Sequence, residues 1–267
     1  MDHTIIFNHI PKTAGTTLRI LLNRVYSPER VYFIESTNIT RSLQRFKELT
    51  DSGREQYKVI AGHGASSFMP LVSNPFRITI LREPVDQFIS QYSYLRKSPN
   101  SIYRDDVARL ESIEEYIKYA KEKGHDNLLT RYLSESLEFL ADPEVKTPDM
   151  DKSGENLLNR AKINLKQYDA VLSVRHFDRG VYRLKKLLQW EKIPVYRPVN
   201  ITKPKLKGKL KKQVLEKIND ALRYDRQLWD FFLENQLDCA NDVKVSRFRY
   251  RVFISRQRFI NKYLPRS

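Results

Sequence analysis

Hydrophobic residues recur along the chain in two alternating kinds of run. Short apolar stretches rich in β-branched and aromatic residues occur at Thr4–Phe7, Val31–Ile34, Tyr57–Ala61, Arg77–Leu81 and Ala170–Val174. Runs of that length predict buried strands. Between them, apolar positions at helical spacing predict helices over Thr16–Tyr26, Ser42–Leu49, Val85–Leu95, Ile113–Lys123, Glu155–Leu165 and Phe177–Trp190. The alternation predicts an α/β fold in three layers, a central parallel sheet flanked by helices, with ligands at the carboxyl ends of the strands. After Trp190 the strands stop. A Pro- and Lys-rich connection at 194–208 leads to one long helix expected over Leu210–Leu237, and Phe248, Tyr250 and Val252 alternate like a strand before a last helix carrying Phe259, Ile260 and Tyr263. We expect one α/β domain over residues 1–240 and a basic, helical C-terminal extension over 241–267.

Composition narrows this little. A chain of 267 residues, 40% hydrophobic and 30% charged, is long enough for one large core and too apolar for disorder. The single Cys239 excludes an internal disulfide and has no Cys or His neighbour at metal-ligand spacing, so neither a disulfide nor a metal is expected. No secretory pattern precedes Thr4 and no run approaches a membrane span, so a cytoplasmic protein is expected. Charge is more informative. The net +16 is concentrated in residues 197–217 and 244–267, which contribute +7 and +8 and leave +1 elsewhere. Such local basicity points to polyanion, phosphate or anionic-membrane contact, with a solvated surface as the plainer reading.

The first chemical signal is NHIPKTAGTT, residues 8–17, directly after the first strand. It joins a buried strand to a helix, so first-turn amides of Gly15, Thr16 and Thr17 are expected to face a phosphate at the positive helix end. Lys12 adds a cation. A nucleotide triphosphatase loop would place its Lys after the second Gly, whereas here Lys12 precedes Gly15; a strand-to-helix turn with a Thr cap is the alternative. The second signal is ILREPVDQFIS, residues 80–90, in which Arg82 offers a charged fork and Ser90 a hydroxyl two helical turns on. Here the alternative is an Arg paired to Glu83 or Asp86.

P-K-T-A-G-T-T followed by L-R-E-P-x(5)-S resembles the sulfotransferase superfamily, in the branch holding the heparan-sulfate 2-O- and 6-O-sulfotransferases and bacterial relatives. The resemblance implies a P-loop-like fold and transfer of a sulfuryl group from 3′-phosphoadenosine 5′-phosphosulfate to a hydroxyl, leaving 3′,5′-diphosphoadenosine. It assigns the 5′-phosphosulfate to Lys12, Thr13, Gly15, Thr16 and Thr17, and the 3′-phosphate to Arg82 and Ser90. Lys203 and Lys205, after Asn200-Ile201-Thr202, match the part that closes over the nucleotide. The transfer needs a base for the acceptor proton and a cation for the leaving phosphate. His63, in VIAGHGASSF after the third strand, is the candidate base, with Gly62 and Gly64 giving it room, and Lys12 is the candidate cation. The 2-O branch shows His-Gly-His where this chain has Ala61, so glycosaminoglycan specificity does not carry over. Asn127 and Arg131 in DNLLTRYL resemble an acceptor-cleft segment of the 6-O and bacterial members and share a helix face. Their alternative is a structural ion pair. His9 is expected to point into packing, and His125 and His176 to lie at the surface or at helix starts.

The expected partner is therefore a hydroxyl-bearing acceptor, a glycan by resemblance, with peripheral membrane or polyanion contact through 244–267 and no nucleic acid. Two other classes compete. A small-molecule kinase would need a Gly-Lys-[ST] loop and an acid after a strand to hold Mg2+, and neither is evident. A non-catalytic basic module would rest on the two charged segments alone.

Overall fold

A computed structural model describes residues 3–35, 38–99, 101–135, 148–194, 196–197, 207–239 and 247–263. Five parallel strands, β1 (Thr4–Asn8), β2 (Val31–Phe33), β3 (Val59–Gly62), β4 (Pro75–Leu81) and β5 (Ala170–Ser173), form one sheet in the order β2-β3-β1-β4-β5. All five coincide with the predicted runs. β1 occupies the middle of the sheet, and the strand order reverses there. Successive residues of β1 bury opposite faces, as strand geometry requires. Ile5 and Phe7 pack with Leu18, Leu21 and Leu22 of helix α1 (Gly15–Tyr26), whereas Ile6 packs with Ile60 and Phe68 on the other side. Each of these fully buried side chains contributes ~1.5–3 kcal/mol relative to exposure. Burial on both faces explains why the strands read as unbroken apolar runs.

The remaining helices are α2 (Ile39–Lys47), α3 (Asp51–Glu55), α4 (Pro84–Lys97), α5 (Arg104–Arg109), α6 (Ile113–Lys123), α7 (Leu128–Leu133), α8 (Met150–Leu165), α9 (Phe177–Leu187), α10 (Lys212–Ala221), α11 (Arg223–Glu234) and α12 (Arg247–Tyr263). Helix α4 starts as its sequence predicts: Pro84 stands in the first turn and the Glu83 carboxylate accepts the Asp86 N–H at 2.9 Å.

Two expectations fail. The single helix over Leu210–Leu237 is two helices, broken at Leu222, which has φ −104° and ψ 24°. The cause lies far away in sequence. The Asn127 Oδ1 accepts the N–H groups of Tyr224 and Asp225, both at 3.1 Å, while its Nδ2 donates to the Ala221 carbonyl at 2.8 Å. One buried amide thus satisfies the backbone groups that the break exposes. The strand-like alternation at Phe248, Tyr250 and Val252 is the start of α12. Its Tyr250 and Phe253, three apart, both meet Tyr182 of α9, at ring distances of 5.6 and 5.7 Å. Among the described residues no helix is long and apolar enough to cross a membrane.

Candidate active site

The central position of β1 decides what the site contains. Asn8 is in register with Gly62 of β3 on one side and with Thr79 of β4 on the other. The loop after β1 is therefore flanked by whatever follows β3, which is His63, and by whatever follows β4, which is Arg82. Three sequence signals separated by some seventy residues share one sheet edge.

The loop itself is held open by its neighbours. Lys12 (φ 62°) and Ala14 (φ 65°) both adopt left-handed backbone, which costs ~1–3 kcal/mol each for residues other than glycine. Three side chains hold this shape by binding three successive carbonyls. Thr13 Oγ1 donates to Ile10 O at 2.8 Å, Gln87 Nε2 to Pro11 O at 2.9 Å, and Arg82 to Lys12 O at 3.2 Å. The loop's acceptor atoms are thereby satisfied, and an anion approaching it meets donors. Of the first-turn amides, Thr17 and Leu18 already donate to Ala14 O, at 3.0 and 3.3 Å. The Gly15 and Thr16 amides, first in the helix, have no intrahelical acceptor. Thr17 and Thr13 therefore differ from expectation: the Thr17 amide is engaged within the helix, and the Thr13 hydroxyl, on a fully buried residue, shapes the loop.

The cations are arranged for a missing counter-charge. Burial first, and then the Arg82 guanidinium, lower the Lys12 ammonium to about 8. The Lys12 Nζ rests 4.0 Å from the centroid of the Tyr94 ring. Burial lowers the Arg82 guanidinium, and the Asp86 and Glu83 carboxylates oppose that effect, although both are shared with Lys207, which binds Glu83 at 3.0 Å and Asp86 at 2.9 Å. Two partly buried positive groups side by side are the electrostatic form of an anion site. Ser90, 1% exposed in α4, is already engaged by a neighbour.

His63 is set with equal definition. Its Nδ1 lies 2.5 Å from the His9 carbonyl, which only accepts, so Nδ1 carries the proton and Nε2 keeps a basic lone pair. Burial lowers its pKa below 6.5, against the opposing effect of that hydrogen bond, with Arg19 lowering it further. The ring stacks on His9 at 4.8 Å and meets Tyr132 edge-on at 5.5 Å. Gln87 and Lys207 are not marked by the sequence as parts of the site, whereas His9, beside the loop, packs as expected, but against the candidate base.

Asn127 and Arg131 are both buried and bound to the protein itself, although Asn127 also lines a small pocket with Lys121, Asp149 and Arg223. Arg131 is 1% exposed; its Nε donates to Asp126 O at 2.8 Å, one terminal nitrogen to Pro148 O at 2.8 Å and the other to Asp126 Oδ1 at 2.7 Å. Asn127 bridges the α10–α11 break, and in return the Asp225 carboxylate accepts the Leu129 and Thr130 N–H groups at the start of α7. Both Asn127 amide hydrogens and one on each Arg131 nitrogen are bound within the protein, which gives these residues a structural role. Arg131→Met should cost ~3–5 kcal/mol by leaving Asp126 buried and unpaired. Urea melts would read that loss, and unchanged stability would reopen the acceptor role. His125 is also buried, its ring edge-on to Tyr103 at 4.6 Å and its pKa lowered by burial to about 4. It is not a surface residue. His176, half-exposed at the start of α9, pairs with Asp238 at 3.1 Å. Lys203 and Lys205 lie outside the described residues.

Among solved structures, mouse sulfotransferase SULT7A1 complexed with PAP is similar over 86% of this chain and 88% of that one, at 15% identity and a TM-score of 0.31. That likeness is too loose to assign any residue. No curated protein matches. A family model described as "Sulfotransferase family" matches residues 1–232, a span that takes in the loop after β1, His63 and Arg82. With most of its length matched in this way, the chain belongs to the sulfotransferase family.

Proposed function

We propose that the protein transfers a sulfuryl group from 3′-phosphoadenosine 5′-phosphosulfate to an acceptor hydroxyl, with His63 as general base. One observation carries the reading. Arg82 binds the Lys12 carbonyl, Lys12 leads through two residues to Gly15, and His63 binds the carbonyl of His9 at the other end of the same loop. Anion-binding and proton-accepting groups are thus contiguous. The residues fit the donor: Lys12, depressed by burial and by the neighbouring Arg82, has no acid among the groups that shift it, and the Gly15 and Thr16 amides add donors at a helix start. When bound, the donor supplies a sulfuryl group attached to a good phosphate leaving group.

The chain's own residues do the rest. Lys12 and the two amides hold the phosphosulfate and stabilise the charge left on the phosphate as its bond to sulfur breaks. Arg82 holds a second anionic group, which we assign as the 3′-phosphate. His63 Nε2 accepts the proton that the acceptor hydroxyl loses as its oxygen bonds sulfur. The half-exposed Tyr94 forms part of the wall beside Lys12. A glycan acceptor remains a proposal on the resemblance alone.

Nucleotide choice tests the reading against a kinase and against a basic binding module. Adding 3′,5′-diphosphoadenosine should raise the melting temperature, by ~2.7 kcal/mol of stabilisation at a hundredfold excess over Kd, whereas ATP with Mg2+ should not. Stabilisation by ATP-Mg2+ alone would favour phosphoryl transfer. Stabilisation by neither would favour a non-catalytic module.

A further inference from the structure

His9 takes no step in the reaction above, yet it touches both the base and the start of helix α1. Its N–H donates to Gly62 O at 3.0 Å and its carbonyl receives the His63 Nδ1 proton. Its ring lies almost parallel to that of His63, with 19° between planes, and stacks at 5.7 Å on Phe7 from behind. The other neighbour is Gly15. A methyl group added at Gly15 would overlap Cδ2, Nε2 and Cγ of His9, with no other atom among its nearest contacts. Gly15 has no positive φ, so its backbone suits any residue. Glycine is required at the first position of α1 because an imidazole ring occupies the space where a side chain would go.

We propose that the His9 imidazole is a positioning residue, a rigid spacer wedged between Gly15 and the His63 ring that sets the separation of the donor-binding amides from the base. The proposal rests on the reading of Gly15 and His63 given above. A flat ring suits the role, because in-line transfer requires the acceptor oxygen, sulfur and leaving oxygen to be aligned, and small displacements of the base relative to the phosphate loop cost large factors in rate. Burial holds the His9 pKa well below 6.5, with His63, Arg19 and Lys12 adding to the effect, so the ring brings no charge to the site at neutral pH. It works by shape.

Shape gives a test in two arms. In the binding arm, the dissociation constant of 3′,5′-diphosphoadenosine is measured for Gly15→Ala, His9→Ala and the double variant. Gly15→Ala should weaken binding about tenfold, the order of an overpacking cost, and His9→Ala should restore it in the double variant by removing the ring that clashes. An undisturbed Gly15→Ala, or one that His9→Ala does not rescue, overturns the wedge. In the kinetic arm, His9→Ala should lower kcat about 10–100-fold with donor KM nearly unchanged, and His9→Phe, which keeps a flat ring, should recover most of the loss. Equal loss in both variants overturns the spacer role. Should His9→Ala fail to fold, Gly15→Ala/His9→Ser replaces the double variant, and there the missing ring likewise predicts rescue, whose absence overturns the wedge. The proposal and the reading beneath it fail differently. If His63 is not the base, His63→Ala keeps its activity while the binding cycle still shows rescue; if the wedge is wrong, rescue is absent while His63→Ala stays inactive.

Discussion

His63→Ala should lower kcat by about 10²–10⁴, the range that a positioned acid–base group supplies and equivalent to ~3–5 kcal/mol of barrier. The dissociation constant for 3′,5′-diphosphoadenosine should stay nearly unchanged, because His63 meets His9 and Tyr132 and lies beyond the loop amides. Single-turnover transfer of labelled sulfate to an acceptor found by screening, with calorimetry of the product nucleotide, separates the two quantities. The pH profile adds an independent sign. Burial lowers the His63 pKa, so the base is already free at neutral pH and the rate should fall only as pH drops below 6.5 into the lowered range. The variant should lack that acid limb. A variant that transfers sulfate at near wild-type rate would assign the base elsewhere, and His176, whose Nδ1 faces the Asp238 carboxylate at the end of β5, would be the next residue to replace.

Much of this site was legible because its determinants are local. Ile5-Ile6-Phe7 and Ile78-Thr79-Ile80 announce buried strands, Pro84 and Asp86 announce a helix start, and a Lys three residues before a Gly at a strand end announces an anion. Parallel order then follows from the alternation of strands and helices. What was hidden is non-local. Gln87 looks like any polar residue on a helix until β4 is placed beside β1 and its amide reaches Pro11 O across 76 positions. The break at Leu222 has no Pro or Gly to mark it, because its cause is the Asn127 side chain some ninety-five positions earlier. Arg131 lies on α7, but Asn127 stands just before it with left-handed backbone (φ 46°), so the shared helix face that their spacing implies does not form, and spacing carries no information on buried partners. His9 was read as packing, which holds. The sequence could not show that the packing partners are the base and the phosphate loop, since that depends on the register of Asn8 with Gly62.

The same register makes Lys12 the second sensitive point. Lys12→Met keeps the stem and the left-handed backbone cost while deleting the charge, and it should reduce kcat about 10²–10³-fold if the ammonium stabilises the leaving phosphate. Wild-type binding should carry the corresponding proton linkage. In the free protein, burial and Arg82 lower Lys12 to about 8; a bound phosphate favours the charged form and raises it. Binding therefore takes up a proton wherever the free lysine is neutral and the bound one is not. Below the free pKa the affinity for 3′,5′-diphosphoadenosine should be flat, and above about pH 8 it should weaken by up to tenfold per pH unit until the bound pKa is passed. Calorimetry in buffers of different ionisation enthalpy would count that proton directly. Lys12→Arg supplies the control, since a guanidinium stays charged throughout the range: it should bind the nucleotide with no alkaline loss. If wild type and Lys12→Arg show the same flat profile above pH 8, Lys12 does not contact the anion, and Arg82 with the Gly15 and Thr16 amides would have to hold it alone.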